Sequence, residues 1–253
     1  MARYQVILAY DGTQYHGFQR QAKAHTVQGV VEATLRELGW SGRAILAAGR
    51  TDTGVHASGQ VIAFDLDWKH SPDELGAALN AQLPDDVAAR SVMQVEVDFH
   101  PRYDALARTY RYRIYCWENR DPLLDRYAWR VWPALDLDLL QQATSLLVGR
   151  QDFAAFGTPP RPSGSTQRTV FQAQWTRYDH ELIFLITADA FLYRMVRRLV
   201  SFQVEIGQGR RELEALRQVL ELPPDSAVQG LAPAHGLTLL KVVYPSDEAR
   251  ILI

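Results

Sequence analysis

The order of strand and helix signals runs through this chain twice, and no other feature limits its possible folds as much. Residues 3–10 form a β-rich apolar run closed by Asp11-Gly12, a strand feeding a turn. Thr26 is placed to cap a helix whose apolar positions Val27, Val30, Val31, Leu35 and Leu38 follow helical spacing, with Gly39 at its end. Strands are expected at 43–48 and 59–67. Ser71-Pro72-Asp73-Glu74 then combines a Ser cap, Pro at the first helical position and Glu three residues after the cap. That helix presents Leu75, Ala78, Leu79 and Leu83, and 92–97 closes the first pass as a strand.

The second pass starts near residue 107, with a strand at 108–117. Asp136 caps a helix through Leu139, Leu140, Ala143, Leu146 and Leu147 that stops at Gly149. A hairpin follows at 168–178 and 181–187, then a helix at 191–206 ended by Gly207, another at 212–220 and a last strand at 237–244. Two βαββαβ passes predict an α+β chain built as a duplicated split βαβ of ferredoxin-like type. The halves are expected at 1–105 and 106–253, with a central cleft between them as the place for a ligand. A chain of 253 residues, 47% hydrophobic, is long enough to fill such cores.

Charge bears on the partner. The formal net charge of −2 removes any bulk argument for nucleic acid. The sum hides a gradient, because residues 60–100 carry net −6 and residues 101–200 net +4. The cations are 24 arginines against three lysines. Arginine suits bidentate contacts with phosphate and stacking on bases, although a high-GC genome or selection for thermal stability gives the same skew. The single cysteine, Cys116, sits in an apolar strand as an inert thiol, with no C-x-x-C for metal or redox chemistry. No run approaches 18 apolar residues, and the apolar stretch near the N-terminus is too short for a signal-peptide core. A cytoplasmic protein without a membrane segment is expected.

The most unusual stretch runs from Ala48 to Gln60. It lies between two strands, holds three glycines and sets Arg50 two residues before Asp52, so both project to one side of an extended backbone. Asp52 has two readings: a turn-former, since Asp-Thr-Gly suits an Asx-turn, or a carboxylate held on a rigid loop as nucleophile or base. On the strand from Arg108, Tyr110, Tyr112, Ile114 and Cys116 share one face, and Arg111, Arg113, Tyr115 and Trp117 the other. That alternation fits either an RNA-stacking surface or a core face backed by solvated arginines. On the helix expected from Phe191, Arg194 neighbours Arg197 and Arg198, and the like charges ask for an anionic partner. Walker, nucleophile-elbow, dinucleotide and metal-ligand patterns are all missing from the sequence.

Taken together these segments resemble the bacterial tRNA pseudouridine synthase I (TruA) family. Gly49-Arg50-Thr51-Asp52 with Gly54-Val55-His56 matches the family's G-R-T-D-A-G-V-H segment. Further matches, in family order, are Tyr10-Asp11-Gly12 with Tyr15 and Gly17 to Gln21, Asn80 to Pro84, Phe99-His100, Tyr110-Arg111-Tyr112, Arg168-Thr169, Met195-Val196-Arg197, and Ala232-Pro233-Ala234 with Gly236-Leu237. The resemblance implies the pseudouridine synthase fold and an isomerase that converts uridine to pseudouridine in the tRNA anticodon arm, at tRNA positions 38, 39 and 40. It implies Asp52 as catalytic carboxylate, Arg197 as its arginine partner and Tyr110 as the tyrosine that stacks on the target uracil. Arg50, Arg168, Arg194 and Arg198 are the expected RNA-binding arginines. A homodimer that binds one tRNA across both subunits is implied, and no metal or cofactor. The chain departs from the family pattern at Thr53 for Ala, Gln167 for Ser, Arg194 for His, Arg198 for Asn and Ser201 for Gly.

The chemistry agrees with that implication. The N1–C1′ bond breaks, the base turns and C5 bonds to C1′, with no change of oxidation state. An ionised carboxylate serves either at the sugar or at the uracil ring, and the residues leave both routes open. The rival readings are a non-catalytic RNA-binding module of split βαβ type and a hydrolase that releases free uracil.

Overall fold

Alternation along the first strand already places a core. In β1 (Ala2–Tyr10), Tyr4, Val6, Leu8 and Tyr10 are buried. The computed structural model describes residues 1–161, 163–221 and 228–245. The chain divides into two units, Met1–Leu106 joined by the segment from Thr238, and Ala107–Leu237.

The first unit continues with α1 (Val27–Glu37), β2 (Leu46–Ala47), β3 (His56–Leu66), α2 (Pro72–Gln82) and β4 (Val87–Val95). β1 lies between β3 and β4, antiparallel to both, and β2 pairs antiparallel with β3. This is the strand arrangement of a split βαβ unit. The Thr26 hydroxyl accepts from Gly29 N at the start of α1, and Ser71 and Glu74 make a reciprocal capping box on α2. Each helix then buries one stripe: Val27, Val31 and Leu35 from α1, Leu75 and Leu79 from α2. Fully burying side chains of this size stabilises the fold by about 1.5–3 kcal/mol each. Glu32, wholly buried on α1, is held by Arg20, by Gln28 Nε2 at 2.8 Å and by Ile45 N at 3.1 Å. A buried carboxylate without such partners would be strongly destabilising.

The second unit contains β5 (Ala107–Tyr115), β6 (Trp129–Arg130), α3 (Leu137–Ser145), β7 (Gly149–Asp152), β8 (Gln167–Tyr178), β9 (Glu181–Ala188), α4 (Met195–Gly207) and α5 (Glu214–Glu221). Its strand order is β5-β9-β8-β7, antiparallel throughout, with β6 parallel to β5. Asp136 accepts from Asp138 N and Leu139 N to start α3. Tyr112 and Ile114 of β5, Leu182, Phe184 and Ile186 of β9 and Trp175 of β8 are buried, as are Leu199, Val200, Phe202 and Val204 of α4. Gln203, buried on α4, is satisfied on both sides: its Oε1 accepts from Thr144 Oγ1 at 2.8 Å and Trp175 Nε1 at 3.0 Å, and its Nε2 donates to Leu199 O. The last strand, β10 (Leu237–Val243), runs parallel to β3 with Thr238 opposite His56 and Leu239 opposite Ala57. The fourth strand of the second pass therefore rejoins the first unit from Thr238, where sequence order alone counted it with the second half.

The observed α+β architecture keeps the predicted element order and shifts several bounds. The strand expected at 43–48 is only Leu46–Ala47, and β3 starts at His56 rather than Gly59 because Ala57 pairs with Tyr10. β4 begins at Val87, five residues before the expected start, and β6 and β7 were not foreseen. The helix expected from Phe191 begins at Met195, because Arg194 has φ 63° in the left-handed region and stands at the N-cap. Arg194 is therefore not a neighbour of Arg197 on a common helix face, as the spacing suggested. Among the described residues, no helix is long and apolar enough to cross a membrane.

Candidate active site

Asp52 stands in the connection between β2 and β3, in a turn that depends on Gly54. Val55 N donates to Asp52 O at 3.1 Å, and Gly54 has φ +76°, as the third residue of a type II turn requires. The residues on either side are tied to the segment that follows β1. Phe18 N donates to Thr51 O at 3.1 Å, Gly54 N to Tyr15 O at 3.3 Å, and the Tyr10 and Thr51 hydroxyls lie 2.8 Å apart. Gln60 Nε2 donates to Gly49 O at 3.1 Å, and Gly12 N donates to Nδ1 of buried His56 at 3.0 Å.

Two glycines allow this close approach. A Cβ on Gly12 would stand 2.1 Å from Val55 O. One on Gly17, where φ is +86°, would stand 2.8 Å from Thr51 O. Burial pushes the Tyr10 hydroxyl up to about 12, against weaker opposing hydrogen bonds from Thr51 and Gln60, so it stays protonated at neutral pH. The arrangement holds Asp52 half-buried on a loop whose backbone has little room to move, while Arg50 beside it is exposed.

In the second unit the site residues gather at one end of the sheet. Arg108 of β5 and Val170 of β8 both lie opposite Ala188 of β9, and Tyr110 lies opposite Ile186. Tyr110 is half-buried, with Phe191 meeting it edge to face at a centroid distance of 5.0 Å and 84° between planes. Two residues along β5, Tyr112 is buried and its hydroxyl donates to Pro233 O at 2.8 Å. Burial holds that hydroxyl above the usual tyrosine range, against a smaller opposite effect of Arg197. Gly236 packs on the same ring, where a Cβ would come within 2.6 Å.

Arg197, on the first turn of α4, donates from Nε to Ala232 O at 2.7 Å, and Ala232 N returns a bond to Arg197 O at 3.2 Å. Arg198 Nη1 donates to Phe156 O at 3.3 Å. Arg168 Nη1 donates to Ser165 O at 2.8 Å, while its Nε is buried with no hydrogen-bond partner among the described residues. Burial pushes the Arg168 guanidinium down, with Asp189 and Asp152 opposing. Next to it, Thr169 N donates to Asp189 Oδ1 at 3.1 Å and Asp189 N to Thr169 O at 3.0 Å, which fixes the start of β8.

The structure thus puts Asp52 and Arg50 on one loop of the first unit. It gathers Tyr110, Arg168, Arg194, Arg197 and Arg198 at one end of the second. Three supports carried no signal of their role in the sequence: Phe191 against Tyr110, Asp189 beside Arg168-Thr169, and the 10–18 segment around the Asp52 turn. Gly12 and Gly17 were the available signal for the last. Cys116 is half-buried and its thiol is pushed up by burial, which fits an unreactive role.

The sequence model of the tRNA pseudouridine synthase family matches residues 6–104 and 143–245. The chain is 39% identical over 250 residues to tRNA pseudouridine synthase A of Thermotoga petrophila, covering 96% of this chain and 100% of that one. It is 40% identical over 248 residues to the protein of the same name from Brevibacillus brevis, with coverage of 96% and 100%. The corresponding Lactiplantibacillus plantarum protein is 39% identical over 253 residues, with coverage of 98% and 97%.

Proposed function

Since this chain belongs to the tRNA pseudouridine synthase family, we propose that it isomerises uridine to pseudouridine in tRNA with Asp52 as its catalytic carboxylate. It is an isomerase. The observation that carries the assignment to Asp52 is the turn it occupies, braced by backbone bonds from Tyr15 and Phe18 and by the close approach of Gly12 and Gly17. Such bracing serves a group that must meet one atom of a substrate in one orientation.

The reaction needs three things from the protein. The first is an ionised carboxylate at a fixed position, to act at C1′ or on the ring while the N1–C1′ bond breaks. The second is a surface on which the extruded uracil stacks while it turns to present C5; Tyr110, braced by Phe191, has the half-buried ring for this. The third is a cation that favours the charged form of the carboxylate, the role assigned to Arg197. Its guanidinium plane is set by the bond from Nε to Ala232 O. Arg50, Arg168, Arg194 and Arg198 are assigned to the RNA backbone. Uridines 38, 39 and 40 of the anticodon arm are the assigned targets, and the working form is a cytoplasmic homodimer that requires neither metal nor cofactor.

The test is to incubate the purified protein with an unmodified tRNA transcript and map pseudouridine along it. Pseudouridine at positions 38–40 is the expected result. Free uracil in solution would make the protein a hydrolase, and tight tRNA binding without either product would make it a binding module.

A further inference from the structure

Between β9 and α4 the side chains alternate sharply in environment. Phe191 meets Tyr110 edge to face, and Leu192 is only 4% exposed, whereas Tyr193 leaves 52% of its surface in water. The two residues that open α4, Met195 and Val196, are buried again. The Arg194 guanidinium lies over the Tyr193 ring, 4.7 Å from its centroid.

This pair is held in place by backbone. Arg194 adopts φ 63°, a region disfavoured for any residue with a Cβ. Tyr193 N donates to Thr158 O at 3.0 Å, Met195 N to Leu192 O at 3.2 Å and Arg198 N to Arg194 O at 3.1 Å. Gly157 lies so close that a Cβ there would come within 2.7 Å of Tyr193 O. The fold therefore accepts an unfavourable backbone conformation and keeps a large aromatic ring in water, with a guanidinium stacked on it.

We propose that Tyr193 and Arg194 form a platform on which the base of a nucleotide next to the target uridine stacks, an inference that rests on the tRNA-isomerase reading above. Every nucleobase has a π face, so an exposed tyrosine ring takes any of them, and the guanidinium adds charge for the adjoining phosphate. Position supports a neighbouring nucleotide over the target itself. Tyr110 is assigned to the target base, and Tyr193 follows Phe191 by two residues, at most about 7 Å of chain. Arg198, one helical turn further on and half-buried, adds a second cation beside the pair, which favours a polyanion over an apolar protein surface at this spot.

The test uses an anticodon stem-loop RNA, intact or with one abasic nucleotide beside the target uridine, with wild-type protein, Tyr193→Ala, Tyr193→Trp and Arg194→Gly. On the intact loop, Tyr193→Ala is expected to weaken binding by about 5- to 150-fold, the range that loss of one base–aromatic stack produces. Tyr193→Trp should restore it, and Arg194→Gly should weaken it by less than Tyr193→Ala. On one abasic loop the wild type should lose the same factor, and Tyr193→Ala should then cost nothing further. Binding by Tyr193→Ala within twofold of wild type, or an equal loss on every abasic loop, would overturn the platform. Isomerisation by the wild type with no Tyr193 effect removes this proposal alone. A wild type that neither binds nor isomerises the loop removes both readings.

Discussion

Around Asp52, hydrogen bonds reach the loop from Tyr10, Tyr15, Phe18 and Gln60, and two glycines let neighbouring backbone come within contact of it. Between Phe191 and Arg198, Tyr193 and Arg194 are exposed and Arg194 sits in a left-handed conformation. The first region is braced by backbone and side-chain groups from the segment around β1 and from β3; the second is tied by bonds from Tyr193, Arg197 and Arg198 and displays arginines. This division suits a reaction in which one carboxylate must not move while an RNA chain is gripped at several points.

The comparison breaks most visibly at Gly12. Gly12→Ala sets a methyl group against the Val55 carbonyl, so the start of β3 and the Asp52 turn must shift. Overpacking of this kind costs about 1–3 kcal/mol of stability. Because an ångström of misplacement costs on the order of 100-fold in rate, kcat should fall by about that factor while the protein stays folded by circular dichroism. Thermal unfolding and single-turnover kinetics check it; activity within threefold of wild type would show the loop less constrained than its contacts imply.

A smaller effect is expected at Arg197→Lys, which keeps the charge and loses the planar Nε donor to Ala232 O. Leaving that carbonyl without its donor should lower kcat/KM by about one to two orders of magnitude. Equal activity of the lysine variant would mean that charge alone suffices there. The smallest effect belongs to exposed Arg194 and half-buried Arg198. Arg194→Ala and Arg198→Ala should each reduce the slope of log binding constant against log salt concentration by about one, with kcat unchanged. A salt slope identical to wild type would remove both from the RNA backbone.

Local chemistry made much of this fold legible. The Ser71–Glu74 capping box, the Thr26 and Asp136 caps and Gly39 after α1 mark helix ends through specific hydrogen bonds or positive φ, and the structure reproduces each, whereas α3 stops at Ser145 and Gly149, expected as its end, opens β7. The start of α4 was lost because apolar periodicity runs unbroken from Phe191, and periodicity does not register that Leu192 is buried by a loop rather than by a helix. β7, with the sequence Gly149-Arg150-Gln151-Asp152, has no strand propensity of its own and exists through its pairing with β8. The proposed reactive carboxylate, Asp52, was legible as a motif. What holds it was not, because Gly12 and Gly17 lie far from Asp52 in sequence and their role depends on tertiary approach.

In the proposed reaction the Asp52 carboxylate performs the chemistry while other residues hold the RNA. Asp52→Asn keeps the size of the side chain and the backbone bonds of the turn, so its effect on a tRNA transcript can be read in one experiment that follows both complex formation and pseudouridine content. Binding within about twofold of wild type and no pseudouridine above background are expected. Pseudouridine formed by the variant at a rate within tenfold of wild type would contradict it.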